Sequence, residues 1–193
     1  LGQVNGVEYM IPVACELLRA NSDVRILFVG KGAEKDRIIE QAKQAGVLNK
    51  NLFIEEMIPK KDLPVLLSAA TMGSNLVVDL PQARANSANK FFDTLAAGRP
   101  IFLNHGGWMH EMVQAKGCGL AMWRQSAADV AAELDRKLHD KEWLAQAGKS
   151  ARRLAEEHFD RDVLADQLIQ VLQAASDGQA ELAAQIAPGE YRF

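Results

Sequence analysis

Several features that mark special classes of protein are scarce in this sequence of 193 residues. Its two cysteines, Cys15 and Cys118, lie far apart in an apolar and a glycine-rich context. Such isolated cysteines favour buried free thiols in a reducing compartment over a disulfide or a metal site. The net charge of −3 argues against nucleic acid as the main partner. The sequence has no run of about 18 apolar residues, so no transmembrane helix is predicted.

The composition that is present, 48% hydrophobic and 24% charged, is ordinary for a globular domain with a core. The chain starts at Leu1, inside a turn, and we expect it to be a piece of a longer polypeptide. Residues 1–176 are predicted to form one domain. Residues 177–193 are predicted to form a tail that docks elsewhere.

Helical and extended patterns alternate along most of the chain. A helix is predicted over 5–19, a buried strand over "DVRILFVG", and a helix over "AEKDRIIEQAKQAGV" that stops at Gly46. Strand "NLFIEEM", helix "KKDLPVLLSAA" and strand "SNLVVDL" follow, then a helix over 88–97 and strand "PIFLN". Helix "WMHEMVQAK", strand "GLAMW" and three helical segments complete the pattern. This order predicts an α/β fold, a Rossmann-like doubly wound parallel sheet flanked by helices.

Ligands of such sheets bind beyond the carboxyl ends of the strands, so the turns at 30–35, 56–60, 79–90, 104–108 and 123–127 are the candidate site. Gly30 and Gly32 follow a strand and open a helix, which fits either a loop that approaches an anion or a plain tight turn. The third glycine of a dinucleotide fingerprint is replaced by Lys35, which argues against a nicotinamide-dependent dehydrogenase.

The stretch "NSANKFFDTLAAGRPIFLN", residues 86–104, places polar residues at the mouth of an apolar helix. Ser87 or Asn89 is a plausible N-cap, and free N–H groups with Lys90 could bind a phosphate. Asp93, one turn further on, could accept hydrogen bonds from a ribose diol. The alternative is a solvated helix start with an i, i+3 pair of Lys90 and Asp93. In the loop that follows, His105 and His110 lack the spacing of a zinc motif and are interpreted as loop histidines without metal.

In order and spacing, these segments resemble the C-terminal domain of retaining glycosyltransferases of the GT-B fold, family 4. The resemblance covers residues 1 to about 172. Its motifs are G-x-x-x-G (Gly2, Gly6), G-x-G after a strand (Gly30, Gly32), "NKFFDTLAAGRPIF" in place of the family's E-A-x-A-x-G-x-P-V, and "GGWMHEMV". The "NKFFD" form is also similar to a subgroup active in bacterial surface polysaccharide synthesis.

The resemblance implies a role for each matching position. The helix that starts near Asn89 and Lys90 takes the diphosphate of a UDP- or GDP-linked sugar, and Asp93 holds the ribose hydroxyls. The first helix approaches the phosphates from the other side, and the turn at Met57 faces the base. The implied nucleotide-sugar site comprises Gly2, Asn5, Gly6, Gly30, Lys31, Gly32, Met57, Asn89, Lys90 and Asp93.

Two positions depart from the family pattern. Asn5 stands where a basic residue is usual, and Ala85 where the first of two acids is usual. Lys90, Lys31 or Arg84 is expected to supply the missing positive charge, because a diphosphate leaving group needs compensation.

The resemblance implies a metal-independent transferase without cofactor, cytoplasmic and peripheral at the inner face of the membrane. No catalytic residue is assigned within this chain. An N-terminal domain outside this chain would bind a glycan or polyprenyl-linked acceptor, so the chain alone is expected to be inactive. A nucleotide-sugar 2-epimerase and a degenerate, non-catalytic domain stay open as alternatives.

Overall fold

The computed structural model describes residues 1–186, in which five strands alternate with helices. The strands are β1 (Ile26–Val29), β2 (Leu52–Glu55), β3 (Gly73–Asn75), β4 (Ile101–Leu103) and β5 (Gly119–Ala121). The helices between and before them are α1 (Met10–Arg19), α2 (Lys35–Gln44), α3 (Leu63–Ala69), α4 (Asn89–Ala96) and α5 (Trp108–Lys116). The C-terminal helices are α6 (Ala127–Leu138), α7 (Lys141–His158), α8 (Arg161–Ser176) and α9 (Ala180–Ile186).

All strand pairs are parallel, as predicted, but the strands lie in two sheets rather than one. β1 pairs with β2, with Ile26 opposite Leu52. β4 lies between β3 and β5, with Ile101 opposite both Gly73 and Gly119. The predicted α/β, Rossmann-like fold of parallel strands flanked by helices is confirmed; among residues 1–186 β1 and β3 are not hydrogen-bonded to each other, so the strands form two sheets.

Two hydrophobic cores hold the layers together. The first packs α1 and α6 against the β1 side of the fold, around Leu17, Ile38 and Leu52. The second joins α4, α5 and α7 around β4, and it includes Phe91 and Cys118. Aromatic rings extend this second core, where Phe91 and Phe92 contact Trp108 and Phe159 in mostly edge-on geometry.

Both cysteines are free, and burial raises the pKa of Cys118 to about 11.

The predicted element boundaries hold best where local patterns decide them. Gly46 follows α2 with a φ of 71°, so the predicted helix stop is confirmed. Ser126, Asp140 and Asp160 cap α6, α7 and α8 by accepting hydrogen bonds from first-turn N–H groups. In contrast, the helix predicted over 5–19 begins only at Met10, after 3₁₀ turns over Gln3–Asn5 and Val7–Tyr9.

The segment predicted to be a tail contains helix α9, and its docking elsewhere stays a prediction. Helix α9 packs against α8 and buries none of its residues. Residues 187–193 lie outside the described residues. No helix over 1–186 is both long and apolar enough to cross a membrane.

Candidate functional site

A cleft of about 860 Å³ separates the two sheets. Strand β1 borders it on one side and β3 on the other, while α3 and α4 contribute further lining residues. Three of the predicted site residues, Asn5, Lys90 and Asp93, line this same cleft although they come from distant parts of the chain. The cleft is therefore where the structure brings these three predicted polar residues together.

Lys90 joins two of the predicted segments at the carboxyl end of β3. Its Nζ donates to Asn5 Oδ1 at 3.0 Å and to the carbonyl oxygen of Leu76 at 3.3 Å. Burial lowers the pKa of Lys90. Among residues 1–186 no ion pair joins Lys90 to Asp93, so the structure lacks the i, i+3 pair of the alternative interpretation. The long lysine side chain instead reaches Asn5, and so brings positive charge to the position where Asn5 departs from the family pattern.

The N-terminus of α4 carries no capping side chain. Its N-cap is Ala88 in an extended conformation, so the predicted cap by Ser87 or Asn89 is wrong. The physical reason is register: the helix begins one residue after Ala88, which leaves Ser87 too early and places Asn89 inside the first turn. The first-turn N–H groups have no side-chain acceptor, which is the arrangement that suits an anionic ligand.

The first turn of the chain packs closely on the loop after β3, and Gly6 permits this contact. Gly6 has a φ of 51°, and a Cβ there would lie 3.0 Å from Val77 C and from Val78 N. The backbone N–H of Val78 donates to the carbonyl of Val4 at 3.1 Å. Gly2 lies nearby, since a Cβ on it would be 3.6 Å from Asn5 Nδ2. The G-x-x-x-G turn therefore lies beside the β3 end of the cleft.

Seven predicted residues lie outside the lining of this cleft in the described chain. Besides Gly2 and Gly6 of the first turn, they are Gly30, Lys31, Gly32, Met57 and Asn89. Lys31, Met57 and Asn89 are exposed, and the N–H of Gly30 donates to Glu55 across β1 and β2. Gly32 permits a close backbone approach, because a Cβ on it would lie 2.4 Å from the carbonyl oxygen of Leu1.

Sequence reasoning missed two buried asparagines at the carboxyl ends of β3 and β4. Asn104 Oδ1 accepts from the N–H of Val77 at 2.9 Å, and its Nδ2 donates to the Val77 carbonyl at 3.1 Å. The Nδ2 of Asn75 lies 3.3 Å from Nε2 of His105, whose Nδ1 donates to the carbonyl of Gly106. Burial lowers the pKa of His105. These contacts fix the turns around the cleft and depend on long-range pairing that no local motif signals.

A second polar cluster surrounds Trp123 in the turn after β5. Asp79 accepts a hydrogen bond from the indole N–H of Trp123 at 3.1 Å and pairs with Arg84 at 3.3 Å and Arg124 at 3.5 Å. Both guanidinium groups stack on the Trp123 ring, at 4.7 and 4.5 Å from its centroid. The indole hydrogen bond and the arginines hold the pKa of Asp79 below its usual range. Arg84 is thus engaged with Asp79 and Trp123, whereas Lys90 is the residue that contacts Asn5.

The family model described as "Glycosyl transferases group 1" matches residues 1–154. The chain belongs to this family. No curated protein sequence matches the chain significantly.

Three solved structures show the same fold as this group 1 glycosyltransferase chain. HepE from Anabaena, in complex with UDP and glucose, has 16% identity and a TM-score of 0.74, with 90% of this chain and 46% of HepE covered. Sucrose-phosphate synthase from Thermosynechococcus elongatus has 21% identity and a TM-score of 0.77, with 91% and 43% covered. The C-terminal domain of LpcC from Francisella tularensis, a group 1 glycosyl transferase, has 16% identity and a TM-score of 0.65, with 83% and 84% covered.

This glycosyltransferase chain spans less than half the length of the first two of these proteins, but most of the LpcC domain. The Rossmann-like half of a GT-B fold, predicted from sequence, is thereby confirmed. Within residues 1–186 no group of three or more His, Cys, Asp or Glu side chains could hold a metal ion. Metal independence stays a prediction.

Proposed function

We propose that this chain is the donor-binding half of a retaining glycosyltransferase that takes a sugar from a nucleoside diphosphate. The observation that carries the proposal is the position of the Lys90 ammonium, 3.0 Å from Asn5 Oδ1, in the first turn of a helix without a capping side chain. Cation and free N–H groups together suit a diphosphate. The UDP complex of HepE supports uridine as the base.

In this proposal each polar group has a separate task. The N-terminus of α4 and Lys90 stabilise the negative charge that develops on the leaving diphosphate, which is the main catalytic contribution expected of such a site. Asp93, one turn along the same helix and lining the same cleft, accepts hydrogen bonds from the ribose. The acceptor, a glycan or a polyprenyl-linked sugar in surface polysaccharide synthesis, binds on an N-terminal domain.

We also propose that the enzyme works in the cytoplasm, peripheral at the inner face of the membrane. Two free cysteines, one of them buried, favour a reducing compartment. The donor site needs no metal in this proposal, because Lys90 provides the positive charge.

Calorimetric titration with UDP, GDP and NAD, each without added metal, tests the donor site. UDP should bind, and Lys90→Met should weaken its binding about 10- to 100-fold, the loss expected for one charge-assisted hydrogen bond. Asp93→Ala should weaken UDP and leave inorganic pyrophosphate binding unchanged, since its partner is the ribose. Lys43→Met, an exposed lysine in the last turn of α2, is the matched control and should bind as the unaltered chain does. Equal UDP affinity for Lys90→Met, or a preference for NAD, would overturn the proposal.

The stereochemistry is tested separately, with the longer protein that carries an acceptor domain. Proton NMR of the first product formed from an α-linked UDP-sugar should show the α-anomer. A β-linked product would refute retention without affecting the donor-site assignment.

A further inference from the structure

Trp123 and its charged neighbours lie at the carboxyl end of the three-stranded sheet. Asp79 and Arg84 belong to the segment after β3, and Trp123 and Arg124 follow β5. Ligands of parallel α/β sheets bind at this end of the strands. In the described chain none of these four residues is among those that line the cleft beside Lys90. The cluster is therefore a second polar site at the ligand-binding end of the fold, separate from the cleft.

Two consecutive glycines after β4 allow this cluster to pack closely. A Cβ on Gly106 would lie 2.8 Å from the Trp123 ring, and one on Gly107 would lie 2.3 Å from the carbonyl oxygen of Arg84. Gly107 also has a φ of 104°, which is unfavourable for any residue with a side chain. The indole of Trp123 and the backbone of Arg84 are thus positioned by tight contact with the turn after β4.

The two arginines carry more positive charge than their one acidic partner neutralises. Asp79 is the carboxylate that pairs with both, and its lowered pKa keeps it ionised at neutral pH, so two guanidinium groups and one carboxylate leave one net positive charge. The ion pairs are long, 3.3 Å for Arg84 and 3.5 Å for Arg124. Strong charge-assisted hydrogen bonds are about 2.7–2.9 Å, so Asp79 holds the arginines only loosely.

Most of the guanidinium N–H groups are left over after these internal contacts. A guanidinium has several N–H donors. Among residues 1–186 the Arg84 side chain makes one hydrogen bond, to Asp79, and its buried Nε has no partner, while the Arg124 side chain makes no hydrogen bond. The side chains of Arg84 and Arg124 are 30% and 65% exposed, so a dissolved anion can reach both.

The backbone at Arg124 is the second sign of a ligand site. Arg124 has a φ of 60°, a left-handed conformation that is uncommon for a residue of this kind. Conformations of this type are concentrated at active sites and ligand clamps. In this conformation the guanidinium lies 4.5 Å from the centroid of the neighbouring Trp123 ring. The fold thus accepts an unfavourable backbone where it places this charge beside the indole.

We propose that Arg84 and Arg124 together bind the carboxylate of an acidic sugar, such as a uronic acid. A planar carboxylate matches the fork of a guanidinium group, and its single negative charge complements the net charge of the cluster. The sugar follows from the family, because a glycosyltransferase acts on sugars. The inference rests on the sugar transfer proposed above, but it does not depend on the nucleotide site in the cleft. The acid belongs to the transferred sugar or to the acceptor, which experiment can separate.

Titration with glucuronate, followed by the NMR signal of the Trp123 indole N–H, tests the carboxylate site. Glucuronate should shift this signal saturably, whereas glucose, which lacks the carboxylate, should not. Arg84→Gln and Arg124→Gln should each weaken binding at least about 10-fold, the loss expected for a hydrogen bond to a charged group. Arg19→Gln, which alters an exposed arginine paired with Glu16, is the matched control and should bind glucuronate as the unaltered chain does.

Removing the internal carboxylate should have the opposite effect. Asp79→Asn adds one net positive charge and releases both guanidinium groups from their partner. Glucuronate should therefore bind about 2- to 5-fold more tightly, the range expected for the loss of a competing exposed ion pair. Weaker binding by this variant would show that the arginines serve only to hold Asp79, and it would count against the proposal.

Calorimetry with UDP-glucuronate and UDP-glucose identifies which substrate carries the acid. A preference of at least about 10-fold for UDP-glucuronate that is lost in Arg124→Gln would assign the carboxylate to the transferred sugar. Equal affinity for the two nucleotides, with free glucuronate still bound, would assign it to the acceptor. Lys90→Met should weaken both nucleotides and leave glucuronate binding unchanged. If neither nucleotide binds, the donor proposal fails, and the glucuronate titration still decides this one.

Two further kinds of result would overturn the carboxylate site. The first is the absence of a saturable shift with glucuronate, or a shift that persists unchanged in both arginine variants, because the cluster would then not bind the carboxylate. The second is binding of acetate or glucose 6-phosphate more tightly than glucuronate, because the site would then recognise an anion without preference for a sugar acid.

Discussion

Replacing Asn104 by alanine should strongly destabilise the fold, because this side chain satisfies both backbone polar groups of Val77. Asn104 is 8% exposed and Val77 is 1% exposed, so water does not readily replace the lost hydrogen bonds. An unsatisfied buried donor or acceptor costs about 1–3 kcal/mol, so two of them predict a loss of about 2–6 kcal/mol in the free energy of unfolding. For a domain of this size that loss lowers the melting temperature by about 4–24 °C.

Urea denaturation followed by far-UV circular dichroism measures this loss, and a second buried asparagine supplies the comparison. Asn51 is 3% exposed but makes a single hydrogen bond, from its Nδ2 to the carbonyl of Ala14 at 2.9 Å. Asn51→Ala should therefore cost about half as much as Asn104→Ala, with similar urea dependence in both. A cost for Asn104→Ala no larger than that for Asn51→Ala would refute the reasoning that the two Val77 bonds fix the loop after β3.

Three other perturbations have defined expected outcomes. Gly6→Ala should destabilise more than Gly117→Ala in urea titrations: both glycines have positive φ, for which a side chain costs about 1–2 kcal/mol, but only Gly6 would also push a Cβ against backbone at 3.0 Å. Because burial lowers the pKa of His105, its contribution to the free energy of unfolding is complete above about pH 6.5 and is lost as the pH falls. The pKa of His139 is raised, so its contribution is instead lost as the pH rises, and measuring the pH dependence of stability in a His139→Gln background isolates the effect of His105. Cys118, with its pKa near 11 and a buried side chain, should resist iodoacetamide at pH 8 in the native protein and react in urea; equal rates in the two states would contradict its burial.

Sequence patterns correctly predicted the helices whose formation depends on residues close together in the sequence. Helix α5 and helices α6 to α8 were predicted from apolar periodicity, and the structure adds the capping residues Ser126 and Asp160, which the prediction did not use. Strand β3 was displaced, being predicted over "SNLVVDL" and observed over Gly73–Asn75. The chain leaves the ladder there because Val77 bonds to the Asn104 side chain and Val78 to Val4, and neither partner is near in sequence.

In the candidate site, too, contacts between residues distant in the sequence could not be predicted from local patterns. The alternative interpretation, a pair of Lys90 and Asp93, relied on helical spacing, whereas Lys90 bonds to Asn5, 85 residues away in the chain. Whether a long side chain turns to its own helix or to another segment depends on burial and on the fold. The sequence could therefore identify the segments of the site but not the partner of each side chain.

The cluster around Trp123 gives the protein an internal optical reporter. Its indole contacts two guanidinium groups while its N–H donates to Asp79, so the charge near the ring depends on all three neighbours. Tryptophan emission shifts when nearby charges move relative to the ring. An anion that draws Arg84 or Arg124 away from the indole would therefore shift the fluorescence emission of Trp123. Replacing Trp108 and Trp143, in other parts of the fold, by phenylalanine would leave Trp123 as the single source of the signal.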